Sequence, residues 1–452
     1  MHTVTKLKKP PFCNYLKLRK ARIRNAADMF EAIMLQNKPI MRLKQPTYFL
    51  VNDPDAAQRI IQNPEDVYIK DGKFIKYLSI PFGQGLVTSE GKLWQNQRNL
   101  LQPYFHPKYL QRYADIIIAK TNEWLTQKWA DYEKQNKTFD LAQDLMELVL
   151  LIAGDALFSE DLTSTSHEVL KWVDFGQKYI LGYYFVSPNM PSPYRWYYKK
   201  GSKKFHSMFG EFINHRRQST KKPDDILTAL ATATDPDTGE LLPNELIIAQ
   251  MITLLVTGHE TSGGLLGWLW YELGQRPEML QKLIDEVDTV LQGKTPSLDD
   301  LNELPYLKMV VDEALRLYPT IWTVNRYATK DDILEGYKIP KGSIVFVNPY
   351  TLQHDPNLWE APWQFDPNRF DRKCPMHRHK MAYIPFGGGN RVCIGKNFAL
   401  QEIKLIMILI LQRYRVNVLT KKRPKMLPLV TLKVDSKLNV NITRRSFISR
   451  SD

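Results

Sequence analysis

The chain has 452 residues, 43% of them hydrophobic, and a formal net charge of +14. That length would hold about three average domains, but no Ser/Gly/Pro tract, charge block or internal repeat divides it, so it reads as one domain over residues 1–452 with material for a large core. Three cysteines, Cys13, Cys374 and Cys393, exclude a dense disulfide framework and suit a reducing cytoplasm. The positive balance points to anionic partners, a membrane surface or an acidic protein. Nucleic acid is set aside, because no nucleic-acid motif occurs and the basic residues are spread along the chain.

Met1 to Pro11 is basic and lacks an apolar h-region, so no secretory signal is expected. No run of about 18 apolar residues marks a transmembrane helix. Residues 47–52 read as a strand ended by Asp53-Pro54, followed by a short helix from Asp55 to about Gln62. Asp71 to Val87, with its glycines and aromatics, reads as a loop. Gly91 to Gln102 reads as a helix carrying Trp94 and Arg98 four residues apart, hence on one face, where both side chains can donate to an anion. A half-buried Trp beside a surface Arg is the plainer reading of the same pair.

Residues 108–160 and 165–220 show helical apolar periodicity. Tyr183 to Phe209 departs from it, with Pro188, Pro191 and Pro193, then Tyr194, Trp196, Tyr197 and Tyr198 beside Lys199, Lys200, Lys203 and Lys204. Such a segment lies on a membrane surface or packs its aromatics onto neighbouring helices as a solvated loop.

Asn244 to Gly274 is the longest predicted helix. Its first half is apolar nearly all round, as in a buried helix, until a polar knot interrupts it at Thr257-Gly258-His259-Glu260-Thr261-Ser262-Gly263-Gly264. Each mid-helix glycine costs about 1 kcal/mol relative to alanine. Three of them beside a carboxylate call for a reason, either a ligand against the backbone or a kink with hydroxyls bonded back to carbonyls. Leu307 to Tyr318 is a further helix, stopped by Pro319. In it Glu313 and Arg316 sit one turn apart among Val310, Val311, Ala314 and Leu315, so the pair is expected to be buried, with Arg369 supplying further hydrogen bonds.

Prolines at 349, 356, 362 and 367 mark an irregular meander. It leads to Phe386-Gly387-Gly388-Gly389-Asn390-Arg391-Val392-Cys393-Ile394-Gly395, a cysteine in a loop of four glycines just ahead of an apolar helix, Asn397 to Arg413. Glycines there admit φ > 0 and let backbone approach a flat, bulky ligand. Helix N–H groups favour a thiolate over a thiol. Residues 430–434 and 438–442 read as a hairpin around Asp435-Ser436-Lys437. Asn441-Ile442-Thr443 fits a glycosylation pattern that, without a signal peptide, carries no weight.

Phe386, Gly389, Arg391, Cys393 and Gly395 resemble the cysteine loop of the cytochrome P450 family, the haem-thiolate monooxygenases. The knot resembles that family's oxygen-activation motif at Gly258, Glu260 and Thr261, departing at Thr257 where Ala or Gly is usual. Glu313, Arg316 and Arg369 resemble its structural triad, and Trp94 and Arg98 its propionate-binding pair. The resemblance runs from about residue 40 to the end, with the motifs in the family's order.

It implies a mainly α fold with small β-sheets (α+β). After a lead-in over 1–40, residues of about 40–90 would form a smaller sheet-rich lobe and a lid loop. Residues 91–452 would form a large helical haem-binding core with a C-terminal hairpin. It further implies haem b on Cys393 as axial iron ligand, with Trp94, Arg98, Arg326, Arg391 and Phe386 around the cofactor and Ile321, Trp322 and Thr323 lining the distal pocket. Glu260 and Thr261 would deliver protons to O2. Electrons would come from NAD(P)H through a separate acidic ferredoxin- or flavodoxin-like partner, docking on Lys373, Arg378, Lys380 and Lys396.

The expected reaction is insertion of one oxygen atom into a hydrophobic substrate, a long-chain lipid or terpenoid. The alternatives are a peroxide-using peroxygenase or hydroperoxide isomerase, and a haem-based sensor. The lack of an anchor matches the soluble bacterial kind, a cytoplasmic monomer with at most peripheral membrane contact.

Overall fold

Helices dominate residues 38–44, 48–63, 65–182, 193–371, 378–434 and 436–445, which this computed structural model describes. The main helices are α1 (Pro54–Gln62), α2 (Lys73–Phe82), α3 (Gly91–Leu101), α4 (Pro107–Trp124), α5 (Leu141–Phe158), α6 (Ser166–Gly182), α7 (Pro193–Gln218), α8 (Ile226–Thr232), α9 (Asn244–Gly274), α10 (Pro277–Leu291), α11 (Pro305–Leu317) and α12 (Lys396–Arg413). The strands are β1 (Ile40–Lys44), β2 (Tyr48–Val51), β3 (Tyr68–Ile69), β4 (Phe139–Asp140), β5 (Val324–Ala328), β6 (Asp332–Leu334), β7 (Tyr337–Ile339), β8 (Ile344–Val347), β9 (Tyr414–Val418), β10 (Met426–Pro428), β11 (Leu432–Val434) and β12 (Asn439–Arg444). The chain divides into two compact units.

The first unit draws on residues 1–76, 312–393 and 425–435. Its five-stranded sheet has the order β1-β2-β8-β5-β3, so strands beyond residue 320 complete a sheet begun before residue 70. Sheet residues are thus not confined to 40–90. β2 and β8 run parallel, Tyr48 beside Ile344 through Val51 beside Val347. Phe49, Val51, Val345 and Val347 are buried in one cluster with Ala57 and Ile60 of α1. α1 forms because Asp53 accepts from Ala56 N at 2.8 Å, Pro54 fits the first turn, and Asn63 closes the helix at φ 48°.

The second unit comprises residues 77–311, 394–424 and 436–452. α9 is buried from Ile247 to Leu273 except at Thr257, Gly258 and Thr261, which are half-buried. Its main neighbour is α5. Gly263 permits their approach, since a Cβ there would stand 2.8 Å from Met146 Sδ and 3.0 Å from Met146 Cα. β12 pairs with β9 over five residues and with β4 over two.

Several expectations fail locally. Residues 73–82 are helical rather than loop, because Ile75, Leu78 and Phe82 fall at helical spacing and are all buried. The stretch 108–160 breaks near residue 135 into α4, a π-turn with a short helix, and α5. The expected hairpin does not form. β11 pairs back with β10, and β12 takes the longer partner β9, where five residue pairs are available. Asp435 at the expected turn lies outside the described residues, as do Met1 to Pro11, Cys13, Tyr183, Pro188, Pro191, Lys373 and Cys374.

Candidate active site

In the first unit the Cys393 loop is closed by the Cys393 N–H, which donates to Phe386 O at 3.0 Å. Gly387 and Gly389 take φ of +68° and +61°. A Cβ on Gly389 would lie 2.4 Å from Ile61 O, so this glycine admits the end of α1 rather than a ligand. Cys393 forms no disulfide and is exposed. Phe386 and Arg391 in the same loop are half-buried. Arg326 on β5 is 5% exposed, and its Nη1 donates to Asn325 O at 2.9 Å.

The support of this loop is a buried ion-pair network. Arg316, fully buried, donates through Nε and Nη2 to both oxygens of Glu313, and through Nη1 to Gln353 O and Pro362 O, each at 2.8 Å. Glu313 also accepts from Asp366 N at 2.9 Å, with Arg369 Nε 3.4 Å from Oε1. Arg369 itself donates to the carbonyls of Glu360 and Ala361. Burial pushes the Glu313 carboxyl upward, against the pull of Arg316, the Asp366 N–H and Arg369. Every oxygen and N–H of the fork is thereby occupied, the condition under which a buried pair holds. Asn368 is exposed and bonds Asp366 instead.

Gln353, which no sequence pattern singles out, donates to Leu315 O and Arg316 O and accepts from Ile384 N at 3.0 Å. It thus ties the end of α11 to the segment leading into the cysteine loop.

In the second unit the knot of α9 resolves into two faces. Thr261 Oγ1 donates to Thr257 O at 2.8 Å, and Thr257 Oγ1 to Thr253 O at 2.7 Å. The extra hydroxyl at 257 is therefore spent on backbone. Gly258 faces α5, where a Cβ would meet Ala153 at 3.7 Å, an ordinary contact. Glu260 points elsewhere, 3% exposed, with its Oε2 accepting from Gln177 Nε2 of α6 at 2.6 Å. His259 is fully buried, its Nδ1 2.6 Å from Leu255 O and its Nε2 3.6 Å from Glu260 Oε1.

Trp94 and Arg98 lie one turn apart on α3, both half-buried, with Arg98 Nε donating to Gln102 Oε1 at 3.1 Å. Trp322 Nε1 donates to Leu429 O in the first unit.

The segment after residue 192 is helical, and its aromatics divide. Tyr198 is buried against Tyr179 at 4.6 Å, whereas Trp196 and Tyr197 are exposed beside Lys199, Lys200 and Lys203. Of the expected basic patch, Lys380 and Lys396 are exposed. Arg378 is not available to a patch, since its guanidinium stacks 4.1 Å over Trp359 and donates to Arg369 O. Among the described residues no helix is long and apolar enough to cross a membrane.

A family model described as Cytochrome P450 matches residues 7–440. The chain is 31% identical over 386 residues to cyclooctat-9-en-7-ol 5-monooxygenase of Streptomyces melanosporofaciens, covering 83% of this chain and 81% of that protein. It is 30% identical over 419 residues to cytochrome P450 4F8 of Homo sapiens, covering 85% and 79%. The crystal structure of the cytochrome P450DA heme domain superposes with a TM-score of 0.86 at 26% identity, covering 98% of this chain and 99% of that one.

The exposed-cysteine loop, the buried Glu-Arg network and the long interrupted helix define a haem-thiolate oxygenase, and the chain belongs to the cytochrome P450 family. It is a cytochrome P450 monooxygenase, and its cofactor is a thiolate-ligated haem. The residues present fit that group. Cys393 is exposed, and α9, buried from Ile247 to Leu273, is half-buried there only at Thr257, Gly258 and Thr261.

Proposed function

We propose that Cys393 is the axial ligand of haem b, and that the substrate is a lipophilic molecule, a long-chain lipid or terpenoid, hydroxylated or epoxidised at an unactivated carbon. Trp94, Arg98 and Arg326 are the donors for the cofactor's carboxylates, with Arg391 and Phe386 beside the thiolate. When bound, the haem supplies dioxygen activation. The remaining work falls to this chain.

The half-buried strip of α9 carries the reading. Thr261 Oγ1 lies on it, holds its own proton toward Thr257 O, and keeps lone pairs to accept another. It therefore relays protons at that atom, and Glu260, one residue earlier, is the buried acid that reloads it. Phe82, Trp172, Val173, Ile180, Ile252 and Val256 line a cavity of about 20 Å³ in the second unit, the size of a water rather than of a substrate.

Electrons come from a separate acidic carrier, for which Lys380 and Lys396 offer exposed positive charge.

The test is Thr261→Ala with product and hydrogen peroxide assayed per NAD(P)H oxidised. The variant should keep haem and substrate affinity but divert reducing equivalents to peroxide. Coupling equal to the parent's overturns the role of Thr261. Peroxide alone supporting turnover as fast as NAD(P)H with a redox chain would make the enzyme a peroxygenase instead. Substrate-induced haem spectral shifts, screened over fatty acids and terpenoid alcohols, identify the substrate class.

A further inference from the structure

Glu260 carries a partner that nothing in the family motif supplies. Gln177 Nε2 lies 2.6 Å from Glu260 Oε2, and both side chains are 3% exposed. A hydrogen bond to a carboxylate out of water is worth more than one between neutral groups.

The helix that brings Gln177 there is itself fixed. α6 is locked to α7 by an aromatic stack in which Trp172 meets Phe205 at 4.6 Å, Tyr179 meets Tyr198 at 4.6 Å, and Phe175 meets Tyr197 at 4.7 Å. The fit is close, since a Cβ on Gly201 would lie 2.7 Å from Trp172. Gln177 thus reaches Glu260 from a helix packed on α7 through aromatic rings. The small cavity beside Gln177 is otherwise lined by apolar residues and by Trp172.

We infer that Gln177 is a positioning residue for proton delivery: its amide N–H holds the Glu260 carboxylate in one buried orientation turned toward α6, and α6 is the element that sets this orientation. The inference rests on the proposed role of Glu260. Gln177 does not touch the reacting atoms. It acts through Glu260, by fixing where that carboxylate is held.

The experiment is a double-mutant cycle in the full-length holoenzyme, using Gln177→Met, which keeps the length of the side chain without its donor, and Glu260→Gln. Product per NAD(P)H should fall about tenfold in Gln177→Met, the low end of what a charge-assisted hydrogen bond is worth. The substrate dissociation constant, from ferric spectral titration, should stay within about twofold. The double variant should be little worse coupled than Glu260→Gln alone, because both changes remove the charge-assisted bond.

A second readout needs no turnover. Urea midpoints of the ferric resting protein should be non-additive across the same cycle. Additive midpoints, multiplicative losses of coupling, or a dissociation constant that rises in step with the loss of coupling each overturn the role of Gln177. If Glu260→Gln uncouples and Gln177→Met does not, Gln177 alone is excluded. If Glu260→Gln is itself fully coupled, the role proposed for Glu260 fails first.

Discussion

Arg316 grips Glu313 with a two-toothed fork, Nε 2.6 Å from Oε2 and Nη2 2.7 Å from Oε1, and neither residue is exposed to solvent. Each charge exists in the interior only because the other does. Removing Arg316 strands a carboxylate among carbonyls that repel it. Arg316→Ala should cost about 3–5 kcal/mol and abolish soluble, haem-loaded protein. A haem-loaded variant with an unchanged urea midpoint contradicts this. Arg316→Lys should fail nearly as badly, because an ammonium cannot span both oxygens of Glu313 and the carbonyls of Gln353, Pro362 and Gln364.

The thiol of Cys393 is the candidate iron ligand. Reduced, CO-treated protein should show the red-shifted Soret band of thiolate ligation, and Cys393→Ala should lose it. Persistence of that band in the variant would falsify the assignment.

Glu402 on α12 is fully buried, and neither of its oxygens makes a hydrogen bond of normal geometry. Burial pushes its carboxyl from 4.5 up to about 8, against the pull of Ser262. The folded value lies above the unfolded one, so between them the native state holds a proton that the unfolded chain has released. Its contribution to stability is complete below pH 4.5 and drains away as pH rises to about 8. The slope is at most about 1.4 kcal/mol per pH unit. Glu402→Gln should therefore flatten the pH dependence of the urea midpoint in that window, gaining on the parent as pH rises. Parallel curves for the two proteins would show that Glu402 is not the group responsible.

Two glycines of α9 should behave differently. A Cβ on Gly263 meets the backbone of Met146 at 3.0 Å, whereas one on Gly258 meets Ala153 at 3.7 Å. Gly263→Ala should lose about 1–3 kcal/mol by overpacking. Gly258→Ala should be neutral or gain up to about 1 kcal/mol from helix propensity. Thermal unfolding of both variants decides the matter, and equal losses would mean that contact with α5 is not what distinguishes them.

Much of this was legible in residues one to seven positions apart. The run from Asn244 to Gly274 forms one helix over its whole expected length, and Glu313 and Arg316 pair as their apolar flanks imply. Short-range spacing carries such features because the helical period itself places the groups. What failed was non-local. Nothing near Leu432 says that its strand returns to Met426 rather than pairing forward. Nothing near Gln177 announces a carboxylate on a helix 83 residues away. Residues 73–82 hid a helix because Pro81 and the flanking glycines mask three apolar positions at the right spacing. The four glycines of the cysteine loop were read as room for a ligand, but at Gly389 the tight neighbour is Ile61 O.

The seating of β8 between β2 and β5 has a consequence for how the protein is made. β2 emerges from the ribosome with one long edge meant for Tyr48 to meet Ile344, and that partner does not yet exist. At roughly 5–20 residues per second, the edge waits for tens of seconds, carrying Phe49, Leu50 and Val51 in an unpaired strand. Such an edge is a template for pairing between nascent chains. Slow synthesis or a truncated message should thus convert the N-terminal strands into an aggregation site, and the solubility of the finished enzyme depends on whatever shields that edge until residue 347 is out.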